Sequence, residues 1–204
     1  MSTYNLDATK AKEGSGRVSN RINETGAYVG MITVAEDVTA ETGSKGIELT
    51  FKTNEGLEAK YLTLWTVNKD GKAIFGEKQL HALMTCLKIK TISAVPCVIQ
   101  KYDMDMKKEI DVQAMIYPEL MNKPVGLVLQ LEEYNGRNGV AEKMVYFTAY
   151  DAATRKLAAE ILDQKPAEAL DKILKSLKDK RLKPSAGNGT TSAVNQDLPN
   201  DFPF

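Results

Sequence analysis

The sequence predicts a mainly β chain with added helices, built around a small barrel, and three observations support this. Apolar residues alternate with polar ones in five separate stretches, one stretch between the third and fourth repeats at helical spacing, and Gly/Asn-rich turns separate them. The chain has 204 residues, room for one domain with a substantial core.

Residues 1–25 are polar and punctuated by Gly and Ser, with Arg17 and Arg21 among small residues, and read as an arm or lead-in loop. From Gly26 to Asp37, Tyr28, Gly30, Ile32 and Val34 share one face and Val29, Met31 and Thr33 the other, which is a strand. Gly30 in its middle predicts a bend or a close backbone approach. Thr42-Gly43-Ser44 turns the chain into a second strand, where Ile47, Leu49 and Phe51 alternate with Glu48, Thr50 and Lys52. Asn54-Glu55-Gly56 leads into a third strand over 57–67, closed by Asn68-Lys69-Asp70-Gly71. Leu80, Leu83, Met84 and Leu87 then fall at i, i+3, i+4 and i+7, one stripe of a helix over 76–87. Residues 90–123 mix apolar pieces with a charged stretch from Lys101 to Asp111 and are expected to form an insertion. Val125, Leu127, Leu129 and Leu131 alternate in a fourth strand; Asn135-Gly136-Arg137-Asn138-Gly139 makes a hairpin loop, and Lys143 to Tyr150 returns. Residues 154–163 and 166–183 read as helices, the second with Pro166 in its first turn and a stripe of Leu170, Ile173, Leu174 and Leu177.

Three strands, a helix and a two-strand hairpin is the element order of the OB-fold, a five-stranded barrel that often binds oligonucleotides. The order also fits other small barrels. The expected division is an arm (1–25), an OB-like domain (26–153), C-terminal helices (154–183) and a tail (184–204).

From Pro184 to Gln196 there is no charged and no aromatic residue, so this stretch cannot bury enough apolar surface to offset its ordering entropy and is expected to be a tether. It ends in Asp197-Leu198-Pro199-Asn200-Asp201-Phe202-Pro203-Phe204, which holds two of the chain's five phenylalanines. Asp201-Phe202-Pro203-Phe204 resembles the acidic tip of bacterial and phage single-stranded DNA-binding proteins. The layout, with C-terminal helices before the tip, is closer to the phage members. The resemblance covers the last eight residues and departs from the family in having only Asp197 and Asp201 in place of an acidic run. It implies that Asp197, Asp201, Phe202, Pro203 and Phe204 recruit replication and recombination proteins, and that the body binds single-stranded DNA.

The chain carries 27 basic and 27 acidic residues, and the tail's two aspartates leave the body slightly basic. That asymmetry suits a body that meets a polyanion through a local patch. Binding single strands needs exposed rings for bases and cations for phosphates. With Leu62 and Leu64 facing the core, Tyr61 and Trp65 face outward together. Tyr28, Tyr134 and Tyr146 are further candidate rings, and Lys45, Lys52, Lys60, Arg137 and Lys143 candidate phosphate contacts. For each ring alone, packing is the more common role of a strand aromatic.

Catalysis finds little support. His81 lies between the helix-stripe positions, and there is no phosphate loop or Gly-x-Ser-x-Gly. Asp103, Asp105, Glu109 and Asp111 could in principle hold Mg²⁺ as in a nuclease, but interleaved Lys101, Lys107 and Lys108 make a solvated loop the expectation. No metal or cofactor is expected. A protein-binding adaptor is the alternative from another class. Cys86 and Cys97 are too few for a disulfide framework and read as small apolar residues in a reducing cytoplasm. The N-terminus shows no signal pattern and no apolar run reaches membrane-spanning length. Homo-oligomerisation is left open.

Overall fold

The computed structural model describes residues 5–7, 20–103, 105–136 and 139–182. Strands β1 (Gly26–Thr39), β2 (Lys45–Thr53) and β3 (Glu58–Val67) form an antiparallel meander. Helix α1 (Phe75–Cys86) follows, then a hairpin of β4 (Val95–Asp103) and β5 (Lys108–Ile116), and a short 3-10 turn at Pro118–Leu120. Strands β6 (Pro124–Gly136) and β7 (Gly139–Tyr150) form a second hairpin, and helices α2 (Ala158–Leu162) and α3 (Ala169–Ser176) complete the order. β1 is the hub: its first half pairs with β6 and its second half with β2, so the main ladder runs β3–β2–β1–β6–β7.

The sheet curls around an inner core of Ile32, Ile47, Leu49, Phe51, Leu62, Leu64, Val125, Leu127 and Leu129. α1 closes one end with Leu83, Met84 and Leu87, three of the four stripe positions, and Leu80 packs beside them. Fully burying one such side chain stabilises by about 1.5–3 kcal/mol. A Cβ on Gly30 would run into the Lys52 carbonyl oxygen, so this is the close approach the sequence predicts, next to an irregularity between Ile32 and Val34.

A second, outer cluster lies on the opposite face of β1, β6 and β7. Val128 and Tyr150 pack there with Leu170 of α3, flanked by Ala27, Val29, Phe147, Leu157, Ile173 and Leu174. β6 is therefore buried continuously from Val125 to Leu129, as a strand covered on both faces must be.

Three expectations change. The sheet has seven strands, and the expected insertion is the β4–β5 hairpin, joined to β1 at Glu36↔Ile116 and by Lys101 Nζ bound to the Glu36 carboxylate. Its alternation is blurred because both faces carry apolar residues, Val98 and Tyr102 on one, Cys97 and Ile99 on the other. The sheet is not closed: among the described residues no ladder joins β3 to β7. The C-terminal helices are shorter than 154–163 and 166–183, and the second ends early because the chain beyond Leu177 extends and pairs with β6 at Glu132↔Lys180. Arm residues 20–22 are anchored too, with Ile22 buried and its N–H donating to the Glu58 carbonyl at 2.8 Å.

α3 starts at Ala169, not Pro166, for a reason outside its own sequence. The buried Glu160 carboxylate of α2 accepts the N–H groups of Leu157, Glu168 and Ala169 at 2.9, 2.7 and 2.8 Å, which satisfies the first turn of α3. Burial alone would raise this carboxyl, but those three donors and Lys156 outweigh it and hold it below its ordinary 4.5. Asp151 behaves alike: burial raises it, while the Thr154 amide, the Thr154 hydroxyl and Lys88 bring it below 3.8.

Glu160→Ala is expected to cost about 2–4 kcal/mol in urea unfolding, because it leaves buried N–H groups unpaired. Both carboxyls have folded values below their ordinary ones. The stability they add is thus complete above pH values near 4.5 and 3.8 and is lost as pH falls through the folded values. In the Glu160→Ala chain the drop in stability between pH 5 and roughly 2 should be smaller than in the wild type.

Candidate nucleic-acid interface

The facing free edges of β3 and β7 border a groove of about 320 Å³. Tyr61, Thr63 and Trp65 line it from β3, Lys143 to Tyr146 from β7, and Glu132 and Lys180 from the β6 side. It lies on the part of the sheet that α2 and α3 leave uncovered.

A β-bulge aims the rings. Leu49 pairs with Leu62 and Phe51 with Ala59, so Thr50 alone faces both Lys60 and Tyr61. Tyr61 takes the left-handed conformation, φ 62°, which is costly for a non-glycine residue. The extra residue turns Lys60 and Tyr61 both outward and still returns Leu62 and Leu64 to the core. Tyr61 is 62% exposed and Trp65 37%, against 1% for Leu62 and for Leu64.

The electrostatics are mixed. Lys143 Nζ stands 5.4 Å from the centre of the exposed Tyr134 ring, a cation–π contact at the start of β7. Lys180 lies 3.4 Å from the Glu132 carboxylate. The segment 178–182 sets this position: the Lys180 N–H donates to the Leu131 carbonyl, Glu133 N–H to the Lys180 carbonyl, and Arg181 binds Glu133. On the outer face of β2, Glu48 accepts from the Thr63 hydroxyl at 3.4 Å. Burial and the neighbouring Glu36 raise its carboxyl, and Lys101 and Thr63 offset part of that rise.

No protein-family model matches the chain, and no curated protein matches it significantly.

Of the sequence-predicted residues, Tyr61, Trp65, Lys143 and Tyr146 line the groove. Lys45 and Lys52 are exposed on β2 outside it, and Lys60 lies 3.7 Å from Glu58. Tyr28 packs partly against the inner core and its hydroxyl donates to the Glu24 carbonyl at 2.8 Å; burial first, then Glu24, raises that hydroxyl. Arg17, Arg137 and the tip residues Asp197, Asp201, Phe202, Pro203 and Phe204 lie outside the described residues.

Tyr146 is the correction. Its ring is 7% exposed and belongs to the inner core, so it has no face to offer a base. Strict alternation from the exposed Lys143 already puts Met144 and Tyr146 on the opposite face, a signal the ring's chemistry obscured. Burial, and to a lesser extent Cys86, pushes its hydroxyl well above 10, and that oxygen has no hydrogen-bond partner among the described residues. Burial pushes the Cys86 thiol up to about 12, as fits a packing residue; Cys97 is only half buried.

The Asp103 carboxylate accepts the N–H groups of Asp105 and Met106 at 2.9 and 2.7 Å, closing the β4–β5 turn. Among the described residues no group of His, Cys, Asp or Glu is placed to hold a metal, and His81 is exposed on α1. No helix among them is long and apolar enough to cross a membrane.

Lys180 and Glu132 are charged groove residues that the sequence pattern did not single out. Lys180 sits in a stretch with helical patterning, and only the pairing with β6 brings it to the groove.

Tyr146→Phe is expected to leave thermal stability unchanged or raise it by up to about 1 kcal/mol, because an unpaired buried hydroxyl is removed and the packing volume kept. Tyr146→Ala should cost about 3–5 kcal/mol as a core cavity. Thermal melts of the two variants check both.

Proposed function

We propose that this chain binds single-stranded DNA with little sequence preference in the β3–β7 groove during phage replication or recombination. Its C-terminal tip would recruit replication or recombination proteins through Asp197, Asp201, Phe202, Pro203 and Phe204. The observation that carries the reading is the outward pair Tyr61 and Trp65 on a groove that also holds Lys143 and Lys180. Rings four residues apart on one face offer successive bases a stacking surface, and the ammonium groups meet the phosphates.

The ladder β3–β2–β1–β6–β7, with α1 between β3 and β6, supports an OB-type barrel. On that reading the β4–β5 hairpin is an insertion, and the groove lies where a closed barrel would join β3 to β7. Exposed ion pairs contribute about 0–1 kcal/mol, so Lys180 can leave Glu132 for a phosphate at little cost.

One observation favours a second reading, a protein-binding replication or recombination adaptor. Glu48 and Glu132 flank the rings, so the groove is less cationic than a strong polyanion site would be. Fluorescence polarisation with labelled oligo-dT across a salt series separates the two. Affinity that falls steeply with salt supports DNA binding, no binding supports the adaptor, and Mg²⁺-dependent cleavage would instead reveal a nuclease.

Trp65→Ala and Tyr61→Ala should each weaken oligo-dT binding by about 1–3 kcal/mol, with melting temperatures close to wild type because both rings are exposed. Wild-type affinity in both variants would remove the stacking role. For the tip, Phe204→Ala should abolish capture of replication proteins from infected-cell lysate and leave oligo-dT affinity intact. Undiminished capture of the same proteins would end the tail reading.

A further inference from the structure

We infer that Phe75 is a third stacking residue, which extends the single-strand path from the β3–β7 groove over the start of α1. It rests on the DNA-binding reading above and names a residue and a direction which that reading does not contain.

The free edge of β3 is occupied at both ends and open between them. Near Glu58 it is covered by residues 20–22. From Tyr61 to Trp65 it borders the groove. Beyond, Val67 pairs antiparallel with Ala73, and the Ile74 N–H donates to the Thr66 carbonyl at 2.9 Å. Phe75 follows at once as the first residue of α1, so the helix starts beside the Trp65 end of β3.

The next residue holds this placement. A Cβ on Gly76 would run into the Trp65 carbonyl oxygen, so only glycine lets the first turn of α1 sit against the backbone of Trp65. Phe75 thereby precedes a residue packed on the Trp65 backbone, and it is 55% exposed and belongs to neither core cluster. Ile74 beside it is 37% exposed. An exposed apolar pair at the Trp65 end of a groove that already carries two outward rings has the chemistry of one more base-stacking surface. Tyr61, Trp65 and Phe75 then define one line, which a strand would follow from the Lys143 side toward α1.

The test compares oligo-dT of about four nucleotides, enough for the groove, with one of about sixteen, which reaches past it. Phe75→Ala should weaken binding of the long oligonucleotide about tenfold, the loss of one stacked base, and leave the short one within about twofold. Phe75→Tyr should restore the long-strand affinity. Equal affinity of wild type and Phe75→Ala at both lengths overturns the assignment. Should Phe75→Ala lower the melting temperature, a Trp65→Phe/Phe75→Trp chain decides, since its one tryptophan then reports on position 75. Quenching by the long oligonucleotide and not the short one supports the path, and emission unchanged by bound DNA overturns it. A wild-type chain that binds no oligonucleotide removes the DNA reading itself; wild-type binding with an unchanged Phe75→Ala removes only Phe75.

Discussion

Leu62 and Leu64 of β3 pack fully into the inner core, and the arrangement of the candidate site follows from that contact. Side chains alternate across a strand, so committing these two leucines inward commits Thr63 and Trp65 outward. The bulge at Lys60 and Tyr61 absorbs the one residue that would otherwise turn Lys60 inward, and so lets Ala59 reach the core as well. The left-handed backbone at Tyr61 is a local cost, set against two buried leucines worth about 1.5–3 kcal/mol each. Sliding β3 by one residue would expose both leucines and bury the rings, so the packing protects the register of the whole edge.

Coverage of the outer face then decides which part of the sheet can meet a partner. α2 and α3 cover β1, β6 and β7 through Val128, Tyr150 and Leu170, and leave the outer face of β2 and β3 uncovered. Glu160 organises that cover: one buried carboxylate caps α3 from outside and ties it to α2. Past α3 the chain docks on β6 and delivers Lys180 to the groove. The layer that covers part of the outer face thus also contributes a charge to the site beside it.

Much of the fold was legible because it rests on local period. The five main strands and α1 lie where alternation and the Leu80, Leu83, Met84 and Leu87 stripe put them, with ends shifted by a few residues. The outward facing of Tyr61 and Trp65 was legible for the same reason, since it follows from two leucines in one strand. The β4–β5 hairpin was less legible, because β4 carries apolar residues on both faces; in β5 the alternation of Ile110, Val112, Ala114 and Ile116 with Glu109, Asp111 and Gln113 was there to read. Tyr146 lies one parity off the exposed Lys143, which places its ring in the core rather than on the groove-facing side.

The sequence by itself determined which residues alternate, where turns break the chain, and which apolar residues must go inward, since these depend on neighbours a few positions apart. Only the tertiary structure decided that the sheet stays open between β3 and β7, that Lys180 reaches the groove, that Gly76 packs on the Trp65 backbone, and that α3 begins three residues after Pro166. Each of these depends on backbone groups that find their partners from another segment of the chain, as the N–H of Ala169 does at Glu160 and the N–H of Lys180 at Leu131. Such a pairing leaves no mark in the period of either segment, because a backbone amide is the same at every position and only the folded chain brings two of them together.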